Sequence, residues 1–485
     1  MDNALKDAGV WTATNAMNVP FTGNGVLIGV VDTGFDLSHP MFRDGHGNLR
    51  VEGMLDQTVG GGGAYRGVEY DTNQLTTGWS SGVGQGHDSN GHGTHVASIA
   101  GGSTYGGLQG VAPDAHFLLV KSDFVNIDLA TRWIFDRAGT RPCVVNLSLG
   151  HHFGSHDGSE ASERVYEGLS GPGKIIVAAA GNEQRSNIHI GDRFGTGEQQ
   201  TARFDLIRQR NGSAYVYLTL WYNNQDRFDV ELITPMGARM SAPPLGRSDL
   251  YQGPHLDIEI GKKRYSPTGL KQVQIKVEFT GGTVSDQWLE NWGLMLTCKR
   301  AVVGRIDGWF HNSGFARFRQ SALVEHARTI GMPATSRGVL SVASHITRDR
   351  WDSDAGQQRD FNAVIGRNSP FSSRGPTRDG REKPELSAPG QYITAALGEG
   401  SGLAGAFERA DSANRLVSIE GTSMATPVVA GAIALMLEKT PNLTADQIRA
   451  ALPNATDRDA HTGASNWTPA YGYGKLNVQK VLNAV

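Results

Sequence analysis

The sequence predicts an α/β fold with a mostly parallel sheet and helices on both faces, interrupted by an inserted antiparallel β domain. Two observations lead to this prediction. Before residue 181, short continuous apolar runs alternate with helix-compatible segments, as in buried parallel strands joined by helical crossovers. From about residue 192, apolar residues instead alternate with polar ones, which is typical of half-buried antiparallel strands.

Four apolar runs predict the parallel strands of the sheet. These runs are residues 26–31, 117–120, 143–149 and 174–180. Crossovers between parallel strands bring the carboxyl ends of the strands to one edge of the sheet, and ligands bind beyond that edge. Asp32, Gly150 and Asn182 follow three of these runs, so we expect them there.

Two predicted helices begin beside polar residues. His92 opens a stretch that includes residues 96–100 and ends at the glycine pair 101–102, where we expect a left-handed cap. Ser423 precedes residues 428–437, an almost wholly apolar helix of the kind buried at a domain centre. The amino end of that helix carries partial positive charge, which favours negative charge near Ser423.

The segment from 192 to 330 is the size of a whole domain. Its alternating runs, at residues 228–232, 256–260 and 273–279, are separated by turns rich in glycine and proline. Several such strands predict a β-sandwich or jelly roll. The α/β domain is therefore expected in two parts, residues 1–191 and 331–485.

The charge and composition of the chain argue against some classes of binding partner. The formal net charge is −3 with acids and bases interspersed, which argues against nucleic-acid binding and against an electrostatic membrane anchor. The sequence contains neither an apolar run of about 18 residues nor a basic-then-apolar leader, so we predict no membrane span and no signal peptide in this chain. The compartment stays open, because both a mature secreted form and an intracellular protein fit. With only two cysteines, Cys143 and Cys298, disulfides are not expected to hold the fold together.

Three short sequences contain the parts of an activated serine nucleophile. They are Val-Val-Asp-Thr-Gly at 30–34, Gly-His-Gly-Thr-His-Val-Ala at 91–97 and Gly-Thr-Ser-Met-Ala-Thr-Pro at 421–427. A serine hydroxyl is a poor nucleophile at neutral pH, so it needs a base to accept its proton and a carboxylate to orient that base. Ser423, His92 and Asp32 can fill these roles.

These sequences, together with Ala-Ala-Ala-Gly-Asn-Glu at 178–183, resemble those of the subtilisin-like serine proteases, the subtilases. The resemblance implies a subtilisin-like catalytic domain that hydrolyses peptide bonds through an acyl-enzyme. It assigns Asp32, His92 and Ser423 to the triad and Asn182 to the oxyanion hole. The serine sequence lacks the second glycine of Gly-x-Ser-x-Gly, which argues against a lipase-type hydrolase.

The resemblance also implies the substrate and where it binds. A protein or peptide is expected to add as an extended strand beside residues 147–150, where main-chain hydrogen bonds give affinity and side-chain pockets give preference. The expected contacts are Ser148, Leu149, Gly150, Ala180 and Gly181.

No cofactor is expected for catalysis. His92 and His95 lack the His-Glu-x-x-His pattern of a zinc site, so we predict no catalytic metal. Many subtilases bind structural calcium through an acid after His-Pro, but Met41 stands there in this chain, and a thioether is a poor ligand for a hard cation. Other acids could form a different calcium site. Many subtilases also carry an N-terminal prodomain that assists folding and then inhibits the enzyme. Here the catalytic segment begins within about the first twenty residues, too few for a domain. We therefore expect either a mature or trimmed chain, with any prodomain or inhibitor outside it, or a protein that matures without a prodomain.

Two other functions remain open on sequence grounds. If the inserted domain excludes water, an amine could intercept the acyl-enzyme and the protein would be a peptide ligase or cyclase, which the product mass would reveal. Alternatively, the triad is vestigial and the protein is a pseudoprotease whose β domain binds a partner. Labelling of Ser423 by a fluorophosphonate separates an active serine from an inactive one.

Overall fold

In the computed structural model, the described residues are 1–11, 18–61, 63–79, 87–253, 255–265, 268–280, 283–407, 409–411, 413 and 415–485. The first part of the chain contains six strands and five α-helices among these residues. The strands are β1 (Leu27–Asp32), β2 (Val51–Asp56), β3 (Val68–Asp71), β4 (His116–Lys121), β5 (Cys143–Leu147) and β6 (Lys174–Ala179). The helices are α1 (Asp2–Asp7), α2 (Thr72–Trp79), α3 (His92–Gly101), α4 (Ile127–Ala138) and α5 (Ala161–Leu169).

The inserted segment contributes strands only, apart from a 3₁₀ turn at Asp286–Trp288, within the residues described. These strands are β7 (His189–Arg193), β8 (Gln199–Leu206), β9 (Tyr215–Tyr222), β10 (Arg227–Ile233), β11 (Arg239–Ser241), β12 (Arg247–Gln252), β13 (Leu256–Arg264), β14 (Lys271–Phe279), β15 (Trp292–Arg300), β16 (Arg305–Phe310) and β17 (Ala316–Phe318).

The last part of the chain returns to mixed structure. Its strands are β18 (Val339–His345), β19 (Arg350–Ser353), β20 (Gly356–Arg359), β21 (Leu386–Pro389), β22 (Ile393–Ala396), β23 (Arg409–Asp411), β24 (Leu416–Ile419), β25 (Thr456–Asp457) and β26 (Lys475–Leu476). Its helices are α6 (Leu403–Ala406), α7 (Thr422–Lys439), α8 (Ala445–Ala455) and α9 (Val478–Ala484). No helix of the described residues is both long and apolar enough to cross a membrane.

The central sheet joins both parts of the chain. Its ten strands lie in the order β25-β26-β21-β18-β6-β5-β1-β4-β2-β3. The seven pairings from β26 to β2 are parallel, and only the outer pairs β25/β26 and β2/β3 are antiparallel. The predicted parallel sheet is confirmed, and the four predicted apolar runs form the adjacent strands β6, β5, β1 and β4.

Helices cover both faces of this sheet, as predicted. Alternate residues of β1 point into different cores: Ile28 and Val30 pack with helices α3 and α7, whereas Leu27 and Val31 pack with α4. Burial on both sides explains why the strand is a continuous apolar run. Helix α7 is buried along nearly its whole length, as its composition indicates.

The inserted strands form two antiparallel sheets that share one hydrophobic core. The sheets have the orders β11-β10-β15-β8-β17 and β12-β13-β14-β9-β16-β7. The core draws alternate residues from both sheets, among them Val230 and Leu232 of β10, Ile258 and Ile260 of β13, and Val273, Ile275 and Val277 of β14. The predicted inserted antiparallel β domain is therefore present, while the boundaries at 192 and 330 stay predictions.

One local prediction is wrong. Gly102, the residue after α3, has φ −61° and ψ 138°, so it forms no left-handed cap. The glycine is needed for close packing instead, because a Cβ atom there would lie 2.6 Å from both the Met41 Cε and the Ser98 carbonyl oxygen.

Candidate active site

Asp32 and His92 form a hydrogen-bonded pair at the carboxyl edge of the central sheet. Asp32 ends β1 and is almost fully buried, and His92 begins α3. The His92 Nδ1 lies 2.7 Å from the Asp32 Oδ1, which also accepts a hydrogen bond from the Thr33 N–H at 2.8 Å. The carboxylate therefore orients the imidazole and leaves its Nε2 for another partner.

The environment of His92 favours its charged form. Burial alone would lower the pKa of His92, but the charge and hydrogen bond of Asp32, together with the charge of Asp88, outweigh burial and raise the pKa above 6.5. A histidine with such a pKa binds a proton readily and is stabilised once it is an imidazolium. This is the behaviour that a general base requires.

Ser423 lies in the first turn of α7 and contacts the segment after β5. Its Oγ donates a hydrogen bond to the Ser148 carbonyl oxygen at 3.2 Å, and the Ser148 Oγ donates to the Ser423 carbonyl oxygen at 2.8 Å. Among the hydrogen bonds of the described residues, none joins Ser423 to His92. Catalytic hydrogen bonds are often unformed in the absence of substrate, and rotation about one side-chain bond redirects a hydroxyl.

Asn182 lies beside the same helix terminus. Its Oδ1 accepts hydrogen bonds from the Thr422 N–H at 2.9 Å and the Thr422 hydroxyl at 3.0 Å. Because both donors occupy the oxygen, the amide nitrogen of Asn182 is left to donate elsewhere. Thr422 was not among the predicted site residues, although it adjoins the serine.

The predicted substrate contacts differ in accessibility. Ser148, Leu149 and Gly150 follow β5, and within the described chain the backbone N–H groups of Leu149 and Gly150 have no hydrogen-bond partner. Such groups are what an added strand would pair with. Ala180 is fully buried, and its N–H and carbonyl bond to Val342 and Gly331.

Gly181 follows Ala180 and adopts a φ of 115°, a conformation that favours glycine. Its N–H donates to the Thr422 hydroxyl at 3.2 Å, so the segment after β6 is joined to the amino end of α7. The predicted site residues thus come from five segments that meet at one edge of the sheet. Their roles as substrate contacts stay predictions.

The chain matches a known family over most of its length outside the insertion. Residues 23–206 and 320–474 match the model of the subtilase family. The chain belongs to the subtilase family. The gap in the match, residues 207–319, falls within the inserted β domain.

Individual subtilases resemble the chain to different extents. The structure of the CspB protease of Clostridium perfringens superposes with a TM-score of 0.80 at 25% identity, and the match covers 99% of this chain and 97% of that one. The minor extracellular protease Vpr of Bacillus subtilis is 23% identical over 97% of this chain, and the serine protease AprX of the same organism is 32% identical over 32% of it. The chain matches only 53% of the length of Vpr and 31% of AprX.

Asp88, which was not among the predicted site residues, is a buried carboxylate beside the pair of Asp32 and His92. Asp88 accepts hydrogen bonds from the Thr33 hydroxyl at 2.9 Å, the Gly91 N–H at 2.7 Å, and both the N–H and the hydroxyl of Thr94 at 2.9 and 2.7 Å. It therefore joins the residue after Asp32 to the first turn of α3. An aspartate three residues before a glycine at a helix start is a signal for such a turn.

Two places bear on metal binding in this subtilase. Met41, which replaces the usual acid, is fully buried among apolar residues. His189, Asp307 and Glu325 bring possible ligand atoms within 4.8 Å of one another. The Arg305 guanidinium already donates to Asp307 and to Glu325, each at 2.6 Å, so a cation occupies the space between these carboxylates.

The inserted domain packs against the catalytic domain through stacked rings. His152 stacks on His156 at 5.0 Å between ring centroids, His156 on Trp309 at 4.1 Å, and Trp309 on His189 at 4.5 Å. His152 also lies 3.5 Å from Glu183, which follows the predicted oxyanion-hole asparagine. The sequence around these histidines gives no sign of this contact.

Proposed function

We propose that this subtilase is a serine endopeptidase that hydrolyses peptide bonds through an acyl-enzyme. The observation that carries the proposal is the 2.7 Å pair between Asp32 and His92 at the sheet edge where Ser423 and Asn182 also lie. Membership of the family supports this interpretation, since the relatives matched are proteases by name.

In the proposed first step, the Ser423 hydroxyl turns from the Ser148 carbonyl to the Nε2 of His92. His92 takes the proton as the oxygen attacks the carbonyl carbon of the peptide bond, and Asp32 stabilises the imidazolium that forms. The same imidazolium then protonates the leaving amine. In the second half of the cycle, His92 deprotonates a water that attacks the ester. The bond from the acyl group to the Ser423 Oγ then breaks, and His92 returns the proton to this oxygen.

The oxyanion of the tetrahedral intermediate needs donors that are already in place. We assign this role to the Asn182 side-chain N–H and the Ser423 backbone N–H. The two hydrogen bonds from Thr422 hold the Asn182 oxygen, which fixes the direction of its amide nitrogen. The amino end of α7 adds a favourable field.

The substrate is proposed to be an extended protein or peptide segment that pairs with residues 148–150. The unpartnered N–H groups of Leu149 and Gly150 supply the main-chain bonds. Because the Ser423 Oγ lies at Ser148, the scissile bond would be placed at the start of this segment.

The test is active-site labelling together with hydrolysis. We expect purified protein to react with a fluorophosphonate and to cleave casein, and Ser423→Ala to lose both activities. Ser248→Ala, which changes an exposed serine of the inserted domain, is the matched control and should retain both. A wild-type protein that neither labels nor cleaves would favour the pseudoprotease, for which the hydrogen bond from Ser423 to Ser148 is the one supporting observation.

A further inference from the structure

A small pocket opens between the catalytic domain and the inserted domain. Its volume is about 100 Å³. One wall is the segment that contains Gly150, His151 and Phe153, and the other wall is formed by the inserted domain, chiefly Tyr217 and His311. We call it the interdomain pocket.

The interdomain pocket continues the proposed substrate groove. Gly150 belongs both to the pocket wall and to the segment with which the substrate is proposed to pair. It lies two residues beyond Ser148, where the nucleophile is bound, which is about 7 Å along an extended strand. A substrate side chain within four residues of the scissile bond can therefore reach the pocket.

His311 is an unsatisfied polar group in this pocket. The residue is only 6% exposed, and neither ring nitrogen has a hydrogen-bond partner among the described residues. Burial, and then the charges of His152 and His151, lower the pKa of His311 to about 3, so its imidazole is neutral. A neutral imidazole offers one donor and one acceptor, and buried groups of this kind normally have partners.

Aromatic rings form most of the remaining pocket wall, which also includes Val216 and Asn312. The Tyr217 ring stacks on His311 at 5.4 Å with 16° between the planes, and the Phe153 ring meets it edge-on at 4.3 Å. Tyr215 and Phe315 complete the wall with a ring contact at 4.0 Å. Phe153 stands at the rim and is 56% exposed, so a large apolar group already faces solvent at the entrance.

From these features we infer that the interdomain pocket is a substrate subsite that selects a tyrosine side chain. A phenol ring matches the aromatic walls, and its hydroxyl can pair with one of the two unpartnered ring nitrogens of neutral His311, as a donor or as an acceptor. The inference rests on the proposed protease function. It gives the inserted domain a direct part in substrate choice.

The same features argue against charged side chains. Among the described residues that line the pocket there is no Asp, Glu, Lys or Arg. A carboxylate or ammonium group would therefore lose its water without gaining a partner of opposite charge. Phenylalanine would fill the space but leave His311 without a hydrogen bond.

The test compares matched tyrosine and phenylalanine peptides. A peptide library identifies the position, within four residues of the cut, at which tyrosine is preferred, and kcat/KM is then measured for the Tyr and Phe peptides. We expect the wild-type protein to prefer Tyr by about 3- to 10-fold, the worth of one neutral hydrogen bond. His311→Phe should reduce this ratio to about one, while His255→Phe, which changes an exposed histidine of the same domain, should not alter it.

A second variant keeps the inference testable if His311→Phe does not fold. Phe153→Ala removes a half-exposed ring of the pocket rim that also contacts His311, and it should lower kcat/KM for the Tyr peptide at the same position. An active enzyme with no preference for Tyr, or with the same ratio in His311→Phe, would overturn the subsite and leave the protease function standing. A protein that neither cleaves any peptide nor labels at Ser423 would overturn both.

Discussion

Replacing Asp88 by asparagine should lower both the free energy of unfolding of the catalytic domain and the pKa of His92. Asp88 is fully buried, and its two oxygens accept four hydrogen bonds, from Thr33, Gly91 and Thr94. The Thr33 hydroxyl in turn accepts from the Gly93 N–H at 3.1 Å. The network thus fixes the start of α3 relative to the end of β1.

The size of the effect follows from these bonds. An asparagine oxygen can keep the bonds from Thr33 and Gly91, but the amide NH₂ then faces the Thr94 N–H, which is also a donor. The amide NH₂ and the Thr94 N–H are then two buried donors that face each other without an acceptor, and each unsatisfied group costs about 1–3 kcal/mol. We therefore expect Asp88→Asn to lower the free energy of unfolding of the catalytic domain by about 2–6 kcal/mol.

The loss of charge has a separate consequence. Asp88 is one of the groups that raise the pKa of His92, so its neutralisation should lower that pKa. Because hydrolysis needs neutral His92, the acid limb of the kcat/KM profile should move to lower pH. A purely structural defect would lower the activity without moving the limb.

Two assays check this prediction. Urea unfolding is followed by circular dichroism in a Ser423→Ala background, which prevents self-digestion, and the pH profile is measured in active protein. Asp249→Asn, which changes an exposed aspartate in β12, is the matched control. Asp88 has neither role if Asp88→Asn unfolds at the same urea concentration as the control and its acid limb does not move.

Three further results are expected. Asn182→Leu should lower kcat by about 10²–10³ with little change in KM, and an unchanged kcat would remove Asn182 from the oxyanion hole. Burial lowers the pKa values of His156 and His311, so as the pH falls the unfolded state binds protons before the folded state does. The free energy of unfolding should therefore be highest above about pH 6.5 and decrease towards pH 3. Unfolding of the Ser423→Ala variant measured as a function of pH checks this. Replacing residues 192–330 with a Gly-Ser loop should, if the variant folds, raise activity on large proteins relative to short peptides, whereas an unchanged ratio would mean that the inserted domain does not restrict the cleft.

Much of the fold and of the candidate site could be predicted because both depend on local sequence. A strand buried on both faces must be apolar throughout, so residues 26–31 indicated β1 within one residue at each end. Period-two alternation similarly indicated β14. Asp32, His92, Asn182 and Ser423 could be proposed as site residues because each stands in a characteristic short sequence.

Other features depend on contacts between distant parts of the chain, and only the tertiary structure decided them. Nothing near Ser148 in the sequence indicates its two hydrogen bonds with Ser423, which lies 275 residues away. In the sequence, nothing distinguishes His311 from an ordinary loop histidine. Only the folded structure shows that Phe153 and Tyr217 pack against its ring. A short sequence specifies which groups are available for chemistry, but burial, pairing and the lack of a partner arise only when separate segments pack together.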